Sequence, residues 1–504
     1  MGINEVVESL QKNKDHLINI IGQSIDTNYR HIVVPALDNC PALIVNIKGL
    51  VDTSELEQFI IHPLMSKTDL SDEGVPNKFE KIKRLMESRL LISEFKQTQS
   101  WDEICDAIVS GDTVLFFDDL EMAFILANKG FKIRSVSDPT SEPETRGPKD
   151  GFLEDIISNM AMIRRRIRDH SLRFESFKIG NRTKTDIAMV YIESIVNDSL
   201  LNEVRTRLNK IDTDAILAST YIEELIEDAP FSIFPKIEHT ERPDKASAAL
   251  IEGRIVILID NTPFSLILPT VFWNFIQTPG DHYERYFIGS FWRIIRLVAL
   301  FLAVTSSSIY VLLTSFHQEM LPTSLALKVA SGRIGVPFPA VVEAFVMEVL
   351  FEIMTEAGLR MPKGLGQTVS IVGTLVIGQG AVMAGLVGPA IVIAVAIGAI
   401  SSYTIPSLSM SNSMRLLKFP LLFLTALLGI FGFLGGIIVT TLHLISIRSF
   451  GTPFYSPVTP FDIGGHKDTF LRFPRWKMSA RPWLSRSKDK KRQAADLKPN
   501  PNSQ

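Results

Sequence analysis

The chain has 504 residues, a net charge of −3 at pH 7 and a mean hydropathy of +0.18, although 21% of its residues are charged. A chain of this length exceeds what one compact core organises, so several folding units are expected. The two cysteines, Cys40 and Cys105, lie far apart, which excludes a disulfide framework and a CxxC metal or redox motif. Charges are frequent up to residue 293, sparse over 297–447 and mainly basic after residue 467.

The first part of the chain predicts a soluble α/β subdomain over residues 1–136, because short strand patterns alternate with helical patterns there. The predicted strands are 42–48 (ALIVNIK) and 113–117 (TVLFF), the predicted helices are 53–62 and 101–109, and residues 121–128 and 131–136 are further candidate elements. The N-terminus has neither a secretory signal nor a myristoylation pattern, so we expect this subdomain on the cytoplasmic side.

Residues 137–150 (SDPTSEPETRGPKD) are rich in proline and charge, which is typical of a linker. A second α/β subdomain is predicted over residues 151–290. Its predicted helices are 152–167, 200–210 and 244–250, and its predicted strands are 174–180, 185–192 and 254–259. We expect Asp198 to cap the middle helix, since aspartate accepts the free amide protons of a first turn.

An arginine cluster ends the first of these helices, formed by Arg164, Arg165, Arg166 and Arg168. A solvated helix face is one interpretation, and a surface for anionic lipid, a partner or nucleic acid is the other. The sequence contains no nucleic-acid motif and no interleaved aromatic residues at this cluster, so we expect no nucleic-acid partner.

Long stretches with almost no charge predict a polytopic α-helical membrane domain over residues 291–450. The predicted spans are 297–316, 368–388, 389–405 and 419–447. The second and third spans form one apolar run that is nearly twice the length that a single bilayer-crossing helix needs, about 20 residues. Gly388 and Pro389 at its centre divide it into two.

An acidic helix is predicted over residues 337–357, where Glu343, Glu348, Glu352 and Glu356 interrupt an apolar sequence. An unpaired acid at mid-bilayer costs about 3 kcal/mol, so a lipid-facing span is excluded. The segment is predicted to be an interfacial or re-entrant helix, and a helix that faces a protein or water cavity is the alternative. The last three glutamates repeat every fourth residue and share one stripe. That stripe either attracts cations or is the wet face of an interfacial helix.

Basic residues set the predicted orientation. Arginines precede the first span, and residues 451–504 form a basic tail that is predicted to be cytoplasmic and largely disordered. Both termini are therefore expected in the cytoplasm, which requires an even number of crossings. Arg415 and Lys418 lie in a short loop that this arrangement puts outside, and they argue against it.

A narrow stripe of small and polar residues marks the second span. At 100° per residue one helix face collects Gln367, Ser370, Thr374, Gly378, Ala381 and Gly385. These residues are candidate pore-lining positions in an oligomer, and tight helix packing is the alternative. No catalytic or metal motif accompanies them, so the sequence predicts no enzyme activity, no metal site and no cofactor.

Long motifs resemble the GerA family of spore germination proteins, specifically A subunits of germinant receptors. The resembling stretches are YIESIVNDSLLNEVRTRLNKID from residue 191, residues 230–264, residues 331–362 and GLGQTVSIVGTLVIGQGAV from residue 364. The resemblance implies a non-enzymatic multi-pass subunit of the spore inner membrane. It also implies B-type transporter-like and C-type lipoprotein partner subunits, and homo-oligomers that form a nutrient-gated cation channel.

Other functions remain open on the sequence. One is a sporulation-operon paralogue with the same architecture. A secondary transporter is another, although the internal repeats usual in transporters are not visible. The last is a non-conducting scaffold that anchors partners through the soluble subdomains.

Overall fold

The computed structural model describes residues 5–66, 78–90, 95–130, 139, 142–360, 378–494 and 497–499. The chain forms two compact units. The α/β unit comprises Met1–Glu227, Ile237–Pro269 and Ser479–Leu497, and the helical unit comprises Asp228–Lys236, Thr270–Met478 and Lys498–Gln504. The predicted combination of an α/β region with a set of helices is confirmed at this level.

The first sheet of the α/β unit has five antiparallel strands in the order β1-β2-β4-β5-β3. These are β1 (Thr27–Val34), β2 (Cys40–Ile47), β3 (Phe95–Thr98), β4 (Thr113–Phe117) and β5 (Ala123–Leu126), with helices α1 (Leu10–Ile21), α2 (Lys78–Arg89) and α3 (Trp101–Ser110) and a helical segment over 53–65. Leu43 and Val45 pack under α1 and α3, whereas Ala42 and Ile44 pack under α2, because successive side chains of a strand point to opposite faces.

Several predicted elements of this sheet are confirmed, since the patterns at 42–48, 101–109 and 113–117 correspond to β2, α3 and β4. The element predicted at 131–136 lies outside the described residues. Two elements that the sequence analysis missed are α1 and β1. Their polar residues, such as Asn13 and Arg30, interrupt the apolar pattern.

The second sheet repeats the five-stranded antiparallel design in the order β6-β7-β9-β10-β8. Its strands are β6 (Leu172–Ile179), β7 (Thr185–Ile192), β8 (Glu238–Thr240), β9 (Ile255–Ile259) and β10 (Ser265–Leu268), and its helices are α4 (Ile156–Arg166), α5 (Asp198–Asn209), α6 (Ser219–Ile226) and α7 (Pro243–Ile251). Helices α4 and α7 cover one face through Ile163 and Ala249. The predicted cap is one residue late, because Asn197 rather than Asp198 accepts the amide proton of Ser199, at 2.9 Å.

The solvated-face interpretation of the arginine cluster is wrong for Arg164. This side chain is fully buried, its Nε lies 2.8 Å from Asp26 Oδ2, and its guanidinium lies 5.0 Å from the centre of the Phe174 ring. A buried guanidinium needs a charged partner, and Asp26 supplies one from the segment before β1. The ion pair therefore ties the helix of the second sheet to the first sheet, while Arg168 remains exposed.

Two segments predicted as a linker and a disordered tail are packed where the structure describes them. In the linker, Glu142 accepts a 2.7 Å bond from Lys245. In the tail, Lys488 pairs with Asp198 at 2.7 Å within the α/β unit, and Phe454 is fully buried within the helical unit. The prediction of a largely disordered tail does not hold for residues 451–494, since their aromatic and charged side chains find partners distant in sequence.

The helical unit begins with α8 (Tyr286–Val311), which continues as a wider helical turn over Leu312–Phe316. These 31 residues contain the predicted span 297–316 and form the one helix in the described part of the chain that is long and apolar enough to cross a bilayer. The other helices are α9 (Thr323–Ser331), α10 (Ala340–Arg360), α11 (Pro389–Tyr403), α12 (Leu408–Leu428) and α13 (Ile430–Ser446). Helices α11 and α13 are apolar but shorter.

The predicted span 419–447 is wrong as a single helix, because the chain reverses at Gly429 between α12 and α13. Gly429 has φ 58° and ψ −132°, a conformation that residues with a Cβ rarely adopt. A Cβ at this position would also lie 2.9 Å from the ring of Phe316. The two helices pack back to back, with Gly436 of α13 against Leu421 of α12.

Helix α10 packs lengthwise among the other helices of the helical unit. Ala344, near its start, joins a buried cluster with Val311 at the end of α8. Thr355, near its end, lies 3.2 Å from the Tyr403 hydroxyl at the end of α11. Helix α10 therefore runs from the end of the bundle near Phe316 towards the opposite end. This packing agrees with the predicted alternative in which the helix faces protein, and its placement relative to a membrane stays a prediction.

Candidate functional site

The acidic stripe of α10 places charged side chains among the apolar helices. Its exposure is graded along the helix: Glu348 is 2% exposed, Glu352 is partly buried and Glu356 is exposed. Glu356 pairs with Arg360 four residues later on the same helix, at 2.7 Å. The wet-face interpretation does not fit Glu348, which is enclosed, whereas Glu352 is partly and Glu356 clearly exposed.

Two cations of α12 enclose the middle of the stripe. The ammonium of Lys418 lies 2.5 Å from Glu348 Oε2 and 2.9 Å from Glu352 Oε1, and Arg415 bonds to Glu352 through Nη2 and Nε. Ser307 of α8 donates its hydroxyl proton to Glu348 Oε1. Two carboxylates and two cations leave the group neutral. We call Glu348, Glu352, Arg415 and Lys418 the charge cluster.

The spacing of the residues explains why the two helices match. Glu348 and Glu352 are four residues apart on α10, and Arg415 and Lys418 are three residues apart on α12, so each pair occupies one helix face. The Lys418 ammonium also lies 5.4 Å from the ring centre of Phe351, within the range of a cation–π contact. The Glu348–Lys418 half of the charge cluster is thus enclosed by aromatic and apolar groups, whereas Glu352 and Arg415 are partly exposed.

Glu343 forms a separate site at the other end of α10. Its carboxylate is 1% exposed, accepts a 2.9 Å bond from Arg333 Nη2 and a second 2.9 Å bond from the amide of Gly388. That amide immediately precedes α11, where the positive end of the helix dipole also favours an anion. A Cβ at Gly388 would approach Arg333 Cγ to 3.1 Å, so glycine keeps this corner open for the two charged groups.

These contacts decide what the glutamates can do chemically. Each of the three buried carboxylates has a guanidinium or ammonium partner, so none faces the apolar interior unpaired. Removing one partner of a buried ion pair costs roughly 3–5 kcal/mol of stability, because the other charge is left buried and unpaired. The ion pairs therefore hold α10 against its neighbours. The interpretation of the stripe as a free cation-attracting surface does not fit the paired state that the structure shows.

The candidate pore-lining stripe is only partly described. Gln367, Ser370 and Thr374 lie outside the described residues. Gly378 and Ala381 lie in and beside a short helical turn that ends at Met383, and Gly385 follows with φ 66°. The helix therefore ends before Gly385, and the constant 100° rotation that placed Gly385 on the stripe does not apply to it.

The sequence analysis identified the glutamates but missed their partners. The sequence analysis predicts a loop for Arg415 and Lys418 and an apolar span for Ser307, and it makes no prediction for Arg333. The three-residue spacing of Arg415 and Lys418 just before an apolar run was the available signal. That spacing places both cations on one face of a helix, but it does not identify the acids with which they pair.

Comparison with known proteins identifies the relatives of this chain. The family model described as Bacillus/Clostridium GerA spore germination protein matches residues 15–484. The chain is 42% identical to spore germination protein KA of Bacillus subtilis (strain 168), over 98% of this chain and 90% of that protein. It is also 42% identical to the uncharacterized membrane protein YfkQ of the same organism, over 87% of this chain and 84% of that protein.

Among solved structures, the chain is similar to the N-terminal domain of the A subunit of the Bacillus megaterium spore germinant receptor GerK3. The sequence identity is 34%, the TM-score is 0.42, and the match covers 53% of this chain and 97% of that domain.

Proposed function

Since this chain belongs to the Bacillus/Clostridium GerA family of spore germination proteins, we propose that it is a membrane subunit of a nutrient germinant receptor. Its relatives give it a role in spore germination. In the proposed function, copies of the chain oligomerise into a nutrient-gated cation channel in the spore inner membrane. A B-type transporter-like subunit and a C-type lipoprotein subunit are its proposed partners.

The observation that carries this proposal is the charge cluster within apolar helices. Ionisable residues in membrane helices are costly and mark ion pathways or switching contacts, and they are retained where function needs them. Glu348 and Lys418 hold α10 against α8 and α12 in the conformation described here. We propose that this contact stabilises the closed state and that it separates when the channel opens.

Exposed apolar side chains support placement of these helices in lipid. Large residues point away from the unit on α8, α11 and α13, among them Phe291, Ile393 and Phe431. Contiguous apolar surface of this kind is rare on soluble proteins and is typical of membrane or protein contacts. Multi-pass insertion is therefore part of the proposal.

The directions of the helices extend the proposed topology. Helices α8 and α12 run towards Phe316, whereas α10, α11 and α13 run the opposite way. In the proposed topology the predicted span 368–388 is the crossing between α10 and α11, and we call this span, with Gln367 just before it, the recrossing segment. Six passes keep the number even, with both termini on the cytoplasmic side. The recrossing segment carries Gln367, Ser370, Thr374 and Gly378, which remain the proposed pore lining.

The proposal is tested by blocking the recrossing segment on one face only. Thr374→Phe puts a bulky ring on the proposed pore face, and Val376→Phe puts the same ring about 200° away. Spores carrying each variant are exposed to the nutrient that triggers the wild type, and K⁺ release is measured with an electrode. Assembly with partner subunits is checked by co-purification from spore membranes.

We expect Thr374→Phe to reduce K⁺ release while assembly is unchanged, and Val376→Phe to release K⁺ like the wild type. Lost assembly in Thr374→Phe would instead support the scaffold function. Normal release and normal assembly in both variants would contradict a pore lined by this face.

A further inference from the structure

A loop of the helical unit carries a fully exposed phenylalanine. The loop spans residues 228–236 (DAPFSIFPK) and carries no charge between residues 229 and 235. Phe231 is 101% exposed and Ile233 is 39% exposed, whereas Phe234 is buried. Two apolar side chains next to each other on the outside of a loop need an explanation, because loops in water are normally polar at such positions.

The loop is held in place at both of its ends. Lys236 is 1% exposed and donates from Nζ to the Ala229 carbonyl at 2.9 Å, which closes the loop on itself. The Lys236 carbonyl accepts a 2.8 Å bond from Ser449, and Asp228 accepts a 2.6 Å bond from the amide of Phe450. The exposure of Phe231 is therefore imposed by a fixed backbone.

Two hydrogen bonds to α12 and α13 show how far the loop lies from the ends of these helices. Ser413 of α12 donates to the Ile233 carbonyl at 2.5 Å, and Ser232 lies 3.0 Å from His443 Nε2 of α13. Ser413 is the sixth residue of α12 and His443 lies three residues before the end of α13. At 1.5 Å per residue the loop therefore lies about 5–8 Å inside the end of the helix pair.

Apolar surface continues from the loop onto these helices. Leu416 lies one turn beyond Ser413 on α12 and is 55% exposed, and Leu442 precedes His443 on α13 and is 61% exposed. Under the proposed function this surface contacts lipid. A segment without charge, about 5–8 Å inside the ends of the two helices, falls within the depth of about 5–10 Å at which lipid head groups meet acyl chains.

We propose that residues 230–233 form a membrane-inserted anchor whose Phe231 ring enters the acyl region of the bilayer. The partner is lipid, and the contact is apolar rather than a head-group site. The anchor fixes the loop itself at the membrane surface, beside the ends of α12 and α13. This inference rests on the membrane placement of those two helices.

The test uses nitroxide spin labels on the full chain, purified and reconstituted into mixed phosphatidylcholine–phosphatidylglycerol vesicles. Cys40 and Cys105 are buried, and they are replaced by alanine so that each label has one target. Labels are placed by Phe231→Cys, by Leu442→Cys as the lipid reference and by Leu217→Cys, an exposed position of the α/β unit, as the water reference. Relaxation by oxygen and by a water-soluble nickel complex is compared at each site.

Insertion predicts an oxygen-to-nickel accessibility ratio at Phe231 that is severalfold above Leu217 and close to Leu442. A ratio like that of Leu217, with Leu442 in lipid, would overturn the anchor and leave the membrane proposal intact. Low access to both reagents at Phe231 would show that protein covers it, which also overturns a lipid partner. A water-like ratio at Leu442 itself would overturn the membrane placement of α13.

Discussion

Removal of the Lys418 ammonium is expected to destabilise the helical unit strongly. In Lys418→Met the methionine keeps most of the apolar stem, but Glu348 loses its cation and keeps only the hydroxyl of Ser307. Glu352 retains Arg415 as its partner. The loss therefore falls on the carboxylate of Glu348 alone, a residue that is only 2% exposed. Leaving one buried charge unpaired costs about 3–5 kcal/mol of unfolding free energy.

A double-mutant cycle separates this electrostatic loss from lost packing. Glu348→Gln removes the charge that Lys418→Met leaves unpaired, so the double variant is expected to recover more than half of the lost stability. Unfolding of the purified protein in detergent, followed by circular dichroism during denaturant titration, measures each variant. Lys328→Met, at an exposed lysine of α9, is the matched control and is expected to stay within about 0.5 kcal/mol of the wild type.

Two results would refute the reasoning. A cost for Lys418→Met below about 1 kcal/mol would mean that Glu348 is solvated or protonated in the native protein rather than paired. Full additivity of the two substitutions would mean that the carboxylate and the ammonium do not interact. Either outcome would also remove the observation on which the proposed closed-state contact depends.

Further predictions concern the α/β unit, the segment before α8 and the helix hairpin. Arg164→Met is expected to lower the unfolding free energy by about 3–5 kcal/mol, whereas the exposed Arg168→Met leaves it nearly unchanged in the same denaturant titration. Burial lowers the pKa of His282 to about 4, so its folded pKa lies below the unfolded value of about 6.5, and stability is lost as pH falls between these values. His282→Gln is expected to flatten that part of a pH titration of thermal stability. Gly429→Ala is expected to lower the melting temperature because of its positive φ and the nearby ring, and Gly435→Ala, whose Cβ meets nothing within 4 Å, to preserve or raise it.

Local sequence patterns carry most of the information on the individual strands and helices. The apolar run in residues 185–192 predicts β7 to the residue, since a short apolar segment bounded by polar turn residues is typical of a strand buried on both faces. The boundary at Asn197 was missed by one position because asparagine and aspartate are equivalent caps and only the backbone distinguishes them. Contacts between residues far apart in sequence could not be predicted from these local patterns.

The pairing of the acidic stripe shows where the limit lies. Glu348 and Lys418 are 70 positions apart, and no single-sequence rule connects them before the packing of α10 and α12 is known. The same applies to Arg164, whose partner Asp26 lies 138 positions away, in the segment before β1. Gly429 was overlooked for another reason: glycine is common inside apolar membrane helices, so its presence did not indicate a reversal.

The folding of residues 479–497 with the α/β unit has a practical consequence for dissecting this protein. A fragment that stops at residue 269 would contain both sheets but would lack the strip of chain that bonds to Glu252 and Asp198. The end of α7 that this strip covers would then be exposed to solvent. Measurements of stability or binding on such a fragment would therefore describe an incomplete α/β unit. Supplying residues 479–497 as a peptide, or joining them through a flexible tether, is the natural way to restore it.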